Sequence, residues 1–234
     1  MKSTVLVAMC FCAVSAHATL ASLITNGDFE TGALSPWTST TQSFGTVAGA
    51  CDDAFAVQST AAGCAPGTAP AFGTYAAYSS TSFTEGSSGA EWKNVLSQNF
   101  TVPTVNYGGT LSLEWTATFA GDGTFQDVGV FAVIFRGGTV LDQFNLVFEP
   151  SSGATDPWTL FNHDISSILT ANAGQTLTLQ LSSTLALPGA GDSATLNTGF
   201  DNVDIEAQLT PEPATFWLAA GGVGWLLVRS RARR

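Results

Sequence analysis

Strict alternation of apolar and polar residues is the feature that most limits what this chain can fold into. In residues 110–119 every even position carries Thr, Ser or Glu, and every odd position is apolar: Leu111, Leu113, Trp115, Ala117 and Phe119. Successive side chains of a β-strand point to opposite faces, so this period predicts a strand with one buried face. The period recurs in residues 175–181 and 203–209. The pattern therefore predicts an all-β fold with Trp115 in its core.

Other segments extend this prediction to a β-sandwich over residues 19–210. Residues 128–135 are apolar on both faces, which is typical of a central strand covered on both sides. Gly137-Gly138 predicts a hairpin turn into a strand at 140–148, with four residues on one face: Val140, Phe144, Leu146 and Phe148. Residues 164–169 predict a brief helix capped by Asp164, and the small-residue stretch 48–73 predicts a long loop. Many strands and almost no helix favour a sandwich.

The charged residues are few and unevenly placed. Charged side chains make up 11% of the chain, and the formal net charge is −11. Between residues 19 and 210 the basic residues are Lys93 and Arg136, against seventeen acidic ones. Nucleic-acid binding needs clustered Lys and Arg, so nucleic acid is excluded as a partner. An acidic body suits a divalent cation or a neutral partner such as a sugar, and a solvated acidic surface with no ligand is the alternative.

The N-terminus has the pattern of a secretory signal peptide. Lys2 precedes the apolar residues 5–14, and Ala16-His17-Ala18 supplies small residues for cleavage after Ala18. Residues 1–18 therefore predict export through the Sec translocon and removal by signal peptidase. The mature chain keeps two cysteines, Cys51 and Cys64, which in an exported protein predict one disulfide; two free thiols are the alternative.

The C-terminal 24 residues form a separate segment. Pro211-Glu212-Pro213 precedes the apolar residues 214–228, and a basic end follows with Arg229, Arg231, Arg233 and Arg234. As a helix the apolar run covers about 22 Å, less than a hydrocarbon core of about 30 Å. Its position directly before four arginines nevertheless predicts one short transmembrane helix with a cytoplasmic basic end.

This tail closely resembles the PEP-CTERM sorting signal of Gram-negative bacteria, which combines the same three parts in the same order. The resemblance implies recognition at residues 211–213 by an exosortase, a membrane-embedded protease homologue. It also implies an inner-membrane intermediate that is sorted to the cell surface or extracellular matrix, in a context of exopolysaccharide and biofilm. A permanent single-span anchor is the alternative.

Three stretches of the body resemble jelly-roll domains of the galactose-binding and carbohydrate-binding-module type. They are residues 23–32 with Pro36-Trp37, residues 96–103, and residues 199–205. The resemblance implies a jelly-roll β-sandwich that binds extracellular polysaccharide. It also implies a structural calcium between the first and last strands, with carboxylates from Asp28, Glu30 and Asp201. Ordinary turn chemistry at the same residues is the alternative.

Sugar binding by such a domain needs exposed aromatic platforms. The main candidates are Trp37, Trp92 and Tyr78, and further candidates are Tyr75, Tyr107 and Trp158; burial as core is the alternative for each. Signs of catalysis are weak, because His163 is the only histidine after the signal peptide and no nucleophile or metal motif is present. We expect a protein with no catalytic residues and no required cofactor, acting as a structural or carbohydrate-binding component. A membrane-anchored adhesin for proteins and a carbohydrate-active hydrolase are the second and third alternatives.

Overall fold

The computed structural model describes residues 19–45, 47–59, 70–85, 89–121, 127–146, 157–187 and 192–209. Eleven strands and one short helix are formed by these residues. They are β1 (Leu20–Ser22), β2 (Thr38–Phe44), β3 (Val47–Gln58), β4 (Ala76–Glu85), β5 (Ala90–Thr101), β6 (Gly109–Gly121), β7 (Asp127–Arg136), β8 (Thr139–Leu146), β9 (Thr159–Asp164), α1 (Ser166–Ala171), β10 (Thr176–Leu187) and β11 (Ser193–Gln208).

The strands form two antiparallel sheets packed face to face. The six-stranded sheet has the order β3-β4-β11-β6-β9, and β1 pairs with the end of β11. The five-stranded sheet has the order β2-β5-β10-β7-β8. The chain passes repeatedly from one sheet to the other, as it does in a jelly roll. The predicted all-β sandwich is therefore confirmed.

The core lies between the sheets and is built from the alternate residues that the sequence pattern selected. Leu111, Leu113 and Trp115 of β6 are buried there, as are Leu177, Leu179 and Leu181 of β10. The central strand β11 adds Phe200, whose ring packs on Phe55 of β3 at 5.5 Å. Period-two patterning thus sets which face of each strand is buried.

The long loop predicted for residues 48–73 is wrong in its first part. Residues 47–58 form strand β3, which pairs with β4 at the edge of the six-stranded sheet. Small side chains hide the period in this strand, because Gly49, Cys51 and Asp53 alternate with Ala or Asp, and Phe55 is the one aromatic residue. Phe55 is buried, and it fixes the inward face of β3.

The predicted hairpin is present, but the strand after it shifts register. Gly137 and Gly138 both have positive φ (56° and 83°), as the predicted two-residue turn requires. A register shift in β7–β8 then places Val140 opposite Phe135 and Asp142 opposite Ile134. Val140 is consequently exposed, whereas Phe144 and Leu146 are buried as predicted. The predicted continuation to Phe148 lies outside the described residues.

The short helix begins two residues later than predicted. Asp164 ends β9, and its carboxylate accepts a hydrogen bond from the backbone N–H of Ser166 (2.8 Å). The Ser166 hydroxyl and backbone N–H hold the pKa of Asp164 below its ordinary value. The N-cap is Ile165 and makes no side-chain cap, so the prediction of Asp164 as the capping residue is wrong; its carboxylate binds the first helical N–H from one residue before the cap.

Candidate functional site

The outer face of the five-stranded sheet is a broad surface that turns away from the core. One row across it runs Thr40, Val95, Ser182, Phe131 and Asn145, each residue being the register partner of the next. Because neighbouring strands lie about 4.8 Å apart, the face is roughly 19 Å wide. We call this surface the five-stranded face.

Exposure on the five-stranded face changes from its centre to its margins. Val95 and Val133 on interior strands are buried although they do not belong to the core cluster between the sheets. Thr40 and Asn145, on the marginal strands, are exposed. This profile is that of an open sheet surface, with a shielded centre and polar edges.

Phe131 provides the aromatic surface of this face. It is half-buried, and its ring lies over Gly129 of the same strand, where an added Cβ would be 2.6 Å from the Phe131 Cζ. Only glycine leaves room for the ring to lie against the backbone in this way. The flat ring beside polar strands resembles the arrangement that sugar C–H groups can stack on.

Polar groups surround Phe131 on the same face. Lys93 is half-buried and is the register partner of Thr184, which in turn pairs with Gly129. The Ser182 side chain is fully buried, and its Oγ has no hydrogen-bond partner. At the margin the Gln143 amide donates to Asn145 Oδ1 (3.2 Å). The face therefore offers an ammonium group and amides near the Phe131 ring.

The three aromatic residues that the sequence favoured for sugar binding are not brought together. Trp37 is 5% exposed, packs on Phe29 in the core and donates from Nε1 to the Asn26 carbonyl (3.0 Å). Trp92 is half-buried and packs against the core beside Phe83. Neither residue is an exposed platform, because each occupies the inward face of its segment.

Tyr78 lies on the outer face of the six-stranded sheet and is also covered. It is 3% exposed and stands edge-on to Trp158, with 6.2 Å between the ring centroids. A side chain at Gly199 would lie 2.8 Å from the Tyr78 ring and 3.0 Å from the Trp158 ring. Tyr78 and Trp158 thus pack together over a glycine, and Tyr78 is not free to receive a sugar in this conformation.

Two of the three predicted calcium ligands hold the same stretch of backbone. Glu30 Oε1 accepts hydrogen bonds from the backbone N–H groups of Thr74 (2.7 Å) and Tyr75 (2.9 Å). Asp201 Oδ2 accepts one from the N–H of Phe72 (3.2 Å). The two carboxylates therefore fasten residues 72–75 to the sandwich.

Asp201 is the most perturbed acidic group in the described part of the chain. It is 1% exposed, lies on β11 next to a register shift, and is the register partner of Glu114. Burial raises the pKa of Asp201 from 3.8 to about 6, although the N–H groups of Phe72 and Asn202 counteract the rise. The nearby carboxylates of Glu114 and Glu30 raise it further. Glu114 Oε2 is itself buried without a hydrogen-bond partner.

Asp28 is separate from this pair. Its carboxylate makes a local contact with the N–H of Glu30 (3.4 Å), and it lines a cavity of about 440 Å³ together with Ser22, Asn26, Ser112, Asn202 and Asp204. Across the described ranges no three His, Cys, Asp or Glu side chains converge closely enough to hold a metal ion. Any ion bound by Glu30 and Asp201 would therefore need further oxygens from backbone or water.

Several predicted residues lie outside what the structure describes. These are the cleavage residues Ala16 and Ala18, the motif Pro211-Glu212-Pro213, the apolar run 214–228 and the four terminal arginines. Cys64 also lies outside, and the Cys51 side chain is not described. Within the part of the chain that is described, no helix has the length and apolar character needed to span a bilayer.

Comparison with known proteins yields likeness to solved structures at low identity. Neither protein-family models nor curated proteins give a match. The structure is similar to TmCBM61, solved in complex with β-1,4-galactotriose (TM-score 0.38, 16% identity, 79% of this chain and 97% of that one). It is also similar to CBM27-1 of Caldicellulosiruptor saccharolyticus, solved with mannohexaose (TM-score 0.37, 14% identity, 83% and 99%).

The same likeness extends to an enzyme. The Stig cyclase Fisc from Fischerella sp. TAU gives a TM-score of 0.41 at 17% identity, covering 82% of this chain and all of that one. Function has to be argued from the side chains of this chain.

Proposed function

We propose that this chain is an exported, non-catalytic protein that binds an extracellular polysaccharide on its five-stranded face. The observation that carries the proposal is the placement of Phe131, half-buried over Gly129, between the shielded centre and the exposed polar margins of that face. Sugars need an apolar surface for their C–H faces and hydrogen-bonding groups for their hydroxyls. The five-stranded face offers both across a width suited to a chain rather than to a single small molecule.

Charge supports a neutral or weakly acidic glycan. Lys93 is one of two basic residues in the whole body, and it lies on this face one register row from Phe131. An ammonium donor satisfies hydroxyl or carboxylate groups of a sugar without requiring a basic cluster. Gln180 and Asn145 of the face are uncharged, and Glu91 is an acidic group on the same side of β5, two residues from Lys93.

The test is binding of the purified protein to immobilised neutral polysaccharides, including a galactan and a mannan, and to extracellular polysaccharide from the producing bacterium. We expect Phe131→Ala and Lys93→Ala each to weaken binding by about tenfold, the loss of one stacking or hydrogen-bonding contact of 1–2 kcal/mol. Leu160→Ala is the matched control, because Leu160 is 65% exposed on the other sheet. If all three variants bind the glycan equally well, the glycan does not bind at the five-stranded face.

We also propose that the tail acts as a PEP-CTERM signal. The support is the sequence order of motif, apolar run and arginines, which would hold the chain in the inner membrane until an exosortase acts and passes it to the surface or matrix. Intact mass of the product, expressed with and without an exosortase, tests this. A product that loses its last two dozen residues only with the enzyme supports sorting, whereas an unchanged mass supports a permanent anchor.

A structural calcium is the third part of the proposal. Glu30 and Asp201 bind the same stretch of backbone, and any further ligands would be backbone or water oxygens. These residues would hold the ion, and its chemistry would be structural charge compensation. Asp28 makes only its local contact, so its part in the predicted ligand set is the weakest. Calcium should raise the melting temperature of the EDTA-treated protein, and an unchanged value would count against the site.

A further inference from the structure

We propose that one end of the sandwich is a membrane-facing surface that rests on lipid headgroups while the tail is inserted. The end is formed by residues 19–22, the loop 102–108, residues 169–175 at the end of the helix and after it, and the last described residues 208 and 209; we call it the exit end. The inference rests on the proposed membrane span of residues 214–228. It adds a second contact between this protein and the bilayer.

Exposed apolar side chains cluster at the exit end. Leu20 is 56% exposed, Val105 60% and Tyr107 52%. Leu20 is the register partner of Gln208, and the backbone N–H of Tyr107 donates to the Gln208 carbonyl (2.8 Å). The two side chains therefore belong to segments on either side of the end of β11. Exposed Tyr and aliphatic residues together are typical of a surface at the membrane–water interface.

Charge at the exit end differs from that of the rest of the body. None of its four segments contains a charged residue, although the body carries seventeen acidic ones. The basic residue Arg136 reaches this end, where its Nη1 donates to Asn172 Oδ1 (3.0 Å). Acidic residues begin at the inner limit of the end, where Ser22 is the register partner of Glu206 and its Oγ donates to Asp204 Oδ1; Leu20 and Tyr107 lie beyond them. An uncharged surface with one arginine avoids the repulsion that an acidic surface would meet at anionic lipid.

The length of the remaining chain places this end at the bilayer. The N–H of Leu209 donates to the carbonyl of Thr19 (2.8 Å), so the chain leaves the sandwich at the exit end. Ala214 begins the apolar run five residues later, and five extended residues cover at most about 17 Å. The headgroup layer is itself roughly 5–8 Å deep. An inserted tail therefore holds Leu20, Val105 and Tyr107 within reach of lipid.

The experiment uses the full chain in phosphatidylcholine–phosphatidylglycerol vesicles, with a photoreactive amino acid at one position at a time. Position 107 is compared with position 44, because Phe44 is similarly exposed (56%). Phe44 pairs with the start of β5, whereas the exit end follows its last residue, a separation of roughly 34 Å along the strand. We expect lipid adducts at positions 105 and 107 and none at position 44.

A second variant separates surface contact from folding. Val105→Ser combined with Tyr107→Ser should leave the melting temperature unchanged, because both side chains are exposed, and should abolish lipid adducts from a photoreactive residue at position 20. Alkaline extraction of the same vesicles reports separately on the tail. One outcome is that the tail resists extraction while the exit end forms adducts with a second copy, with the tail itself or with nothing. In that case the inference is wrong, and the proposed membrane span at residues 214–228 is retained. If the tail is extracted, the span fails and the inference with it.

Discussion

Asp201 should make the stability of the calcium-free protein depend on pH. Its pKa is raised from 3.8 to about 6, chiefly by burial. A carboxyl group whose pKa is higher in the folded state favours folding when it is protonated, so its contribution is fully present below about pH 4 and is lost as pH rises through 6. Each pKa unit corresponds to 1.36 kcal/mol, which gives about 3 kcal/mol between these limits.

The substitution Asp201→Asn removes the titration and retains an oxygen that can accept a hydrogen bond from the Phe72 N–H. For a domain of this size about 3 kcal/mol corresponds to a change in melting temperature of roughly 6–12 °C. In EDTA, raising the pH from 4 to 8 should therefore lower the melting temperature of the wild type by this amount more than that of the variant. Glu206→Gln is the control, since Glu206 is exposed on the same strand. If the melting temperatures of wild type and Asp201→Asn change in parallel between pH 4 and pH 8, Asp201 does not titrate with a raised pKa in the folded protein.

Three further predictions concern a close backbone contact, the core and the disulfide. Gly27→Ala should destabilise the fold by about 2 kcal/mol or more, because the new Cβ would lie 1.8 Å from the Val203 carbonyl oxygen, and urea unfolding measures this loss. Phe200→Ala should cost about 3–5 kcal/mol in the same assay, whereas Phe44→Ala at an exposed site should cost little. If Cys51 and Cys64 are bonded, the non-reduced mass is 2 Da lower, and Cys51→Ser with Cys64→Ser should remove roughly 3 kcal/mol.

The sequence was most informative where one period governs both local structure and burial. Strand β6 and its core residue Trp115 follow from alternation alone, because side-chain direction in a strand is fixed by its backbone. Strand β3 was missed because alanines carry almost no period. The displaced Val140 depends on a register shift between two strands, which is a property of the pair and is not visible in either segment.

The candidate site was harder to predict for a related reason. Residues 128–135 are apolar at nearly every position, so the sequence predicted cover on both sides of this strand. The structure buries Val130 and Ile134 in the core but leaves Phe131 half-exposed on the outer face. A glycine two residues before the aromatic was the available signal. Trp37 and Trp92, which the sequence favoured for sugar binding, are large aromatic residues that pack in or against the core.

The two proposed contact surfaces are mutually consistent in direction. Strand β11 ends at the exit end, so an exit end lying on the bilayer sets the strands of both sheets close to the membrane normal. The five-stranded face then stands upright beside the membrane rather than against it, and its rows of register partners run parallel to the bilayer surface. A polysaccharide running along these rows would lie parallel to the membrane and meet neither lipid nor the tail. Glycan binding and tail processing could therefore occur on the same molecule without competing for one surface.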